Sequence, residues 1–262
     1  MFQPVLISSG LSGWQFLQRT YDRQLETFTQ STELKRDTDY FAQNSGNVAS
    51  AEDLVSDRRL LTVALGAFGL QDDINNTFFI QKMLGDGTTA DDALANRFTD
   101  TRYQDLSKAF GLGPGELRGA LDPGFADTII AKFQSNSFEV ATGAQDDTMR
   151  IALYAERTLS DVVSTQGSDA SKWFTIMGQP PLRSLFETAL GLPDAFGQVD
   201  IDQQLRVFQE RSERIFGVTD PAEFAQPEVL SNVISSYLAR SQLNSFGTAT
   251  TGASIALTLL SS

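Results

Sequence analysis

Four times this chain writes glycine, an apolar residue, any residue and then aspartate: Gly69-Leu70-Gln71-Asp72, Gly143-Ala144-Gln145-Asp146, Gly191-Leu192-Pro193-Asp194 and Gly217-Val218-Thr219-Asp220. The physical content of the pattern is a helix stop followed by a helix start. Glycine takes the left-handed position after a last turn, the apolar residue packs back, and the aspartate accepts from the first free N–H groups of the next helix. Alternating β-branched runs and Asn-Gly turns, the marks of strands and hairpins, are scarce. A chain punctuated in this way is expected to be all-α.

Helical spacing fills the intervals. Leu61, Leu65 and Phe68 share a face in 54–68, and 201–216 sets Ile201, Leu205, Phe208, Ile215 and Phe216 opposite Gln203, Gln204, Gln209, Glu210 and Glu213. Further helices are predicted at 12–43, 74–84, 90–97, 101–110, 125–140, 147–163, 181–190, 222–226 and 228–245, packed as hairpins or orthogonally. Ser50 to Asp53 and Thr88 to Asp91 have capping-box spacing, with Asp for the usual Glu or Gln. Asp122-Pro123 and Asp220-Pro221 read as a cap followed by proline in the first turn, where its missing N–H is not needed. Phe138-Glu139-Val140-Ala141-Thr142-Gly143 rhymes with Phe186-Glu187-Thr188-Ala189-Leu190-Gly191, and Ala67-Phe68-Gly69-Leu70 with Ala109-Phe110-Gly111-Leu112. Either a degenerate internal duplication or the recurrence of helix-ending glycines accounts for this, and the periods match no single solenoid repeat. The expected organisation is one helical domain, with a subdomain boundary at 164–168 as the alternative and a flexible Gly/Thr/Ser-rich segment at 246–254.

The 262 residues hold 20 Lys+Arg against 33 Asp+Glu, a net charge of -13, and neither histidine nor cysteine. That field repels phosphate backbones and anionic lipid, so no nucleic-acid partner is expected. Thiolate nucleophiles, Ser-His arrangements and metal sites that need imidazole or thiolate are excluded, and no cofactor or metal is expected. No apolar run is long enough for a membrane-spanning helix. Met1 to Trp14 lacks a basic n-region and an apolar h-region, so export by a Sec signal peptide is not expected.

The candidates for chemistry are few. The doublets Asp72-Asp73, Asp91-Asp92 and Asp146-Asp147 fall at predicted helix starts, where the helix dipole favours negative charge, and none has the loop of an EF-hand. Glu139 and Glu187 would be the acids of a glycan hydrolase, a reading weakened by their recurrence in matched contexts. Gly111-Leu112-Gly113-Pro114-Gly115 has no lysine or Ser/Thr of a phosphate-binding loop. The 19 phenylalanines suit a core. Trp14, in a polar amino end, is a candidate contact residue.

The succession Asp39-Tyr40-Phe41, Asn44-Ser45-Gly46-Asn47-Val48, Ala51-Glu52-Asp53-Leu54, Asp57-Arg58-Arg59-Leu60-Leu61, Ala64-Leu65-Gly66-Ala67-Phe68-Gly69-Leu70 and Phe79-Ile80-Gln81-Lys82-Met83-Leu84 resembles, in order, the core of an alphaproteobacterial family of unknown function encoded in or near flagellar gene clusters. The likeness continues through Asn96-Arg97-Phe98, Asp100, Arg102-Tyr103 and Ala109-Phe110. It covers residues 15 to 165 and, less closely, the rest. The family offers no catalytic residues to carry over; the resemblance implies association with the flagellum. The tail from Ile255 to Ser262 is similar to the carboxyl ends of exported axial flagellar proteins, and Leu11-Ser12-Gly13 to their amino ends. The expected function is therefore non-enzymatic: a structural or interaction protein of the flagellum, binding protein partners through helix faces and the residues Trp14, Ile255, Leu259 and Leu260. A cytoplasmic export adaptor or chaperone is the alternative, and a cell-wall glycan hydrolase the third reading. The expected location is flagellar or cytoplasmic.

Overall fold

Five of the helices begin where a side-chain oxygen accepts from the first free N–H groups of the turn. Asp57 accepts from the N–H groups of Arg59 and Leu60 at 2.9 and 3.1 Å, and Asp200 does the same for Asp202 and Gln203. Ser50 and Asp53 form the predicted capping box reciprocally. The computed structural model describes residues 3–260, with side chains over 3–193 and 195–245. Its helices are α1 (Gly10–Thr29), α2 (Thr32–Asn44), α3 (Ala51–Ser56), α4 (Arg58–Ala67), α5 (Thr77–Asp86), α6 (Arg102–Phe110), α7 (Phe125–Gly143), α8 (Asp147–Val163), α9 (Asp169–Gly178), α10 (Pro180–Ala189), α11 (Ile201–Phe216) and α12 (Pro227–Leu260), with short 3-10 turns between. No strand occurs among the described residues. The fold is all-α.

The punctuation holds in part. Gly69, Gly191 and Gly217 are left-handed, at φ 71, 67 and 71°, after α4, α10 and α11. Gly143 instead closes α7 in helical conformation. Asp146 caps α8, and Asp220 caps the 3-10 turn Pro221–Ala225 in a box with Glu223. Asp72 lies inside a 3-10 turn and caps nothing, and the side chain of Asp194 lies outside the described residues.

Several boundaries differ from the sequence reading. The expected 12–43 helix breaks into α1 and α2 at Gln30-Ser31, where the Thr29 hydroxyl donates back to the Glu26 carbonyl and competes with continuation of the helix. Thr88 starts no helix, because its N–H and hydroxyl are both committed to the Glu116 carboxylate. Asp91-Asp92 consequently sits in turns. Asp122 accepts from the Gly124 N–H, which leaves Pro123 in a turn ahead of α7. Helix α9 falls where no helix is predicted. The backbone of 246–254 belongs to α12, which contains no proline after Pro227, so no N–H is missing from its ladder; two glycines cost about 1 kcal/mol each relative to alanine and do not end it.

The chain divides into two units, one of residues up to Val5 with Thr20–Thr142, the other of Leu6–Arg19 with everything from Gly143. The boundaries fall between Val5 and Leu6, inside α1 between Arg19 and Thr20, and at the last turn of α7. The small polar stretch 164–168 is the turn between α8 and α9, within the second unit.

The first unit is organised on α4, whose Leu60, Leu61, Val63, Ala64 and Leu65 are all buried, the mark of a central helix. Phe138 of α7 is enclosed edge-to-face by Tyr21 and Phe28, with ring centroids at 5.3 and 5.6 Å. At Gly66 the ring of Phe133 lies over the bare backbone, so that a Cβ would come within 2.6 Å of it. Alanine in a helix ordinarily gains about 1 kcal/mol over glycine; here overpacking outweighs that. Gly66→Ala is expected to destabilise the protein by about 1 kcal/mol, measured as a shift of the urea midpoint. In the second unit Trp173 of α9 is surrounded by Phe186, Phe208 and Phe224 at 5.4, 5.7 and 5.6 Å.

Candidate functional site

The two carboxylates that a hydrolase would need belong to different units. Glu139 is buried in α7, 1% exposed, while Glu187 lies at the surface of α10, ion-paired to Arg183 at 2.8 Å one turn earlier. The rhyming hexapeptides thus share a fully buried phenylalanine, Phe138 and Phe186, and differ at the glutamate and glycine. Among the described residues no three acidic side chains gather as a metal site requires, and no helix is long and apolar enough to cross a membrane.

The glycine-rich turn at 111–115 serves to place Glu116. Its carboxylate accepts from the N–H and hydroxyl of Thr88, the hydroxyl of Thr89 and the N–H of Gly113. Burial alone would raise the Glu116 pKa; the hydrogen bonds from Thr88, Gly113 and Thr89 outweigh it and hold the group below the usual range. A carboxylate depressed in the folded state contributes stability that is fully present above its unfolded value of 4.5 and is lost as pH falls through the lower folded value. Glu116→Gln should therefore flatten the acid limb of the stability curve below pH 4.5 while removing about 1 kcal/mol at neutral pH, the small figure reflecting partial solvent exposure.

The side chains that carry the family resemblance are also spent on the fold. The Tyr40 hydroxyl donates to Asp57 at 2.6 Å, the same aspartate caps α4, and the Arg59 guanidinium lies 4.0 Å over the Tyr40 ring. The hydrogen bond to Asp57, with some help from burial, raises the Tyr40 pKa. Arg102 grips Asp100 with Nε and Nη2 and donates through Nη1 to the Gly69 carbonyl at 2.7 Å. Tyr103 donates to Asp73; burial first, and Asp73 second, push its pKa far above the ordinary phenol range. These are protonated donors and fixed ion pairs, poor candidates for proton transfer at neutral pH.

Of the predicted contact residues, Trp14 is 4% exposed and belongs to the core of the second unit. An amphipathic helix α1 buries the indole, so a polar neighbourhood in sequence does not mean an exposed ring. The side chains of Ile255, Leu259 and Leu260 lie outside the described residues.

The structure offers another aromatic. Phe78, near the start of α5, is 80% exposed. It stands beside a groove of about 480 Å³ lined also by Ala51 and Glu52 of α3, by Gln81, Lys82 and Gly85 of α5, and by Leu112. Leu117, 89% exposed, follows in the loop that Leu112 begins. On the other flank of α5, the half-buried Phe79 and Tyr103 and the exposed Phe98 form a ring cluster with centroids 5.3 to 5.5 Å apart. A signal for Phe78 was present in the sequence: Phe78, Phe79 and Ile80 are consecutive, and three successive helical positions spread over 200° cannot all face one core. Ile80 is buried, Phe79 half-buried and Phe78 exposed.

A family model described as a protein of unknown function, DUF1217, matches residues 67–230, more than half of the chain. An X-ray crystal structure of a protein from the alphaproteobacterium Agrobacterium tumefaciens is similar at a TM-score of 0.71 and 24% identity, covering 90% of this chain and 97% of that one. At that identity the likeness concerns the fold. No curated protein matches.

Proposed function

The chain belongs to the DUF1217 family of proteins of unknown function, and we propose that its own role is non-enzymatic: an interaction protein of the bacterial flagellum that docks a protein partner on the α3–α5 groove beside Phe78. The exposure of Phe78 carries the reading. An aromatic ring left in water at the rim of a groove costs apolar hydration and gains nothing for the monomer, while rings in such positions supply much of the energy of protein interfaces. The distribution of polar groups supports the same view: Glu139 is buried, Glu187 is paired with Arg183, Asp146 caps α8, and Asp72, Asp91 and Asp92 lie in exposed turns. The flagellar part of the proposal draws on the resemblance of residues 39–87, and on the 255–262 tail, to flagellum-associated proteins.

Phe78→Asp is the test. Because the ring is solvated, its replacement should change stability by no more than about 0.5 kcal/mol, read as an unchanged melting curve. Swimming of a strain carrying the variant should be impaired. Unimpaired motility after deletion of the whole gene, with the protein confined to the cytoplasm, overturns the proposal. If motility depends on the protein but it is never recovered outside the cytoplasm, the export-adaptor reading replaces that of a structural component.

A further inference from the structure

We propose that the second unit holds a carboxylate-binding pocket between α10 and α12, gripped by Arg240. The pocket holds about 370 Å³ and is lined by Ser184 and Thr188, one turn apart on α10, by Leu192 and Pro193 beyond its end, and by Arg240 and Leu243 of α12. Arg240 is half-buried. No described residue accepts a hydrogen bond or ion pair from it, so the five donors of its guanidinium face the solvent of the pocket. Glu187, which also borders the pocket, is committed to Arg183.

The ordinary structural explanation for an arginine here would be a cap on the end of α10, whose dipole favours a cation. The carbonyls in question are already in use. Phe186, Thr188 and Glu187 accept from the N–H groups of Leu190, Gly191 and Leu192 at 2.8, 3.0 and 2.8 Å, and Ala189 accepts from the Ser236 hydroxyl at 3.1 Å. The dipole makes a positive charge tolerable at this place without giving its planar fork an acceptor. Gly191 clears the approach: a side chain there would run into the Arg240 guanidinium. A fork of parallel N–H groups matches a carboxylate in bidentate geometry. The hydroxyls of Ser184 and Thr188 are available to support the same group, and Leu192, Pro193 and the exposed Leu243 give the mostly polar pocket a small apolar edge. The ligand class is a carboxylate joined to an apolar body, either a small acid or the carboxyl terminus of a peptide. The inference is independent of the Phe78 surface, which lies in the other unit.

The experiment uses the full chain, labelled with ¹⁵N, with the Arg240 Nε–H resonance as readout and five probes: hexanoate, acetate, the peptide acetyl-Ala-Ala-Leu with a free carboxylate, hexanamide and inorganic phosphate. Hexanoate or the peptide should shift the resonance saturably, the tighter of the two identifying the source, while hexanamide leaves it unchanged. Arg240→Gln, with its fold checked by circular dichroism, should abolish the melting-temperature increase that the carboxylate produces. Arg240→Lys, which keeps the charge without the fork, should weaken binding about tenfold. Leu243→Ala, at an exposed position that does not threaten folding, should weaken hexanoate and leave acetate unaffected. Absence of saturation by either carboxylate, retention of binding in Arg240→Gln, or phosphate binding as well as the carboxylates do would overturn the assignment.

Discussion

Replacing Trp173 with alanine is expected to destabilise the second unit by about 3–5 kcal/mol, the range for deleting a large buried aromatic. The indole is fully buried and meets Phe186, Phe208 and Phe224 at once, so its loss opens a cavity walled by three rigid rings drawn from α10, α11 and the 3-10 turn Pro221–Ala225. Rings held by separate elements cannot collapse together without moving those elements, which places the cost toward the upper end. Trp173→Phe separates packing from polarity. The indole N–H has no acceptor in its surroundings, so phenylalanine removes an unsatisfied buried donor along with part of the ring volume. Its cost should be below half that of alanine. Chemical denaturation followed by fluorescence of Trp14, a buried residue of the same unit, measures both. Equal losses in the two variants would mean that the indole N–H is hydrogen-bonded in solution.

The same cluster shows what can be read from a sequence of this kind. Helices with one wide apolar stripe and a clear start signal were legible: α8, α10 and α11 fall within a few residues of the prediction, with caps at Asp146 and Asp200 and first-turn prolines in α10 marking their starts and apolar spacing carrying them through. Helix α9 was not, although it buries Trp173, Ile176 and Met177 at helical spacing. Its cap, Ser168, ends the small polar stretch 164–168 and accepts from the Ser171 N–H at 3.2 Å, so the residue that starts the helix also looks like the end of a linker. Thr88 failed for a different reason. Its local capping geometry is outcompeted by a carboxylate 28 residues away in sequence, a contact that no window of neighbouring residues contains. Exposure was harder still: periodicity shows which residues of a helix share a face but not how completely that face is covered, which is why Trp14 reads as a surface residue and Phe78 as part of a core.

Arg102→Ala should cost about 3 kcal/mol in the first unit, through what it leaves behind rather than through the contacts it deletes. The Arg102 and Asp100 side chains are 17% and 19% exposed and paired at 2.6 Å. Without the guanidinium, Asp100 keeps a largely desolvated charge and the Gly69 carbonyl at the end of α4 loses its donor. Asn136 holds the adjoining Gly66 carbonyl at 2.7 Å, so two side chains together close the terminus of the central helix. Lysine should not restore the loss, because one ammonium cannot meet both carboxylate oxygens and the Gly69 carbonyl in the geometry of the fork. In a double-mutant cycle with Asp100→Ala the second substitution should cost about 2 kcal/mol less than it does alone, since removing both charges avoids stranding either. Asp100, Arg102 and the Ala64–Leu70 segment are among the residues on which the family resemblance rests. If their substitution unfolds the unit, that resemblance is a record of how the α4 terminus is built, and the search for the partner-binding residues belongs at Phe78 and Arg240. If instead Arg102→Ala folds with unchanged stability and abolishes motility, this ion pair is itself part of the binding surface.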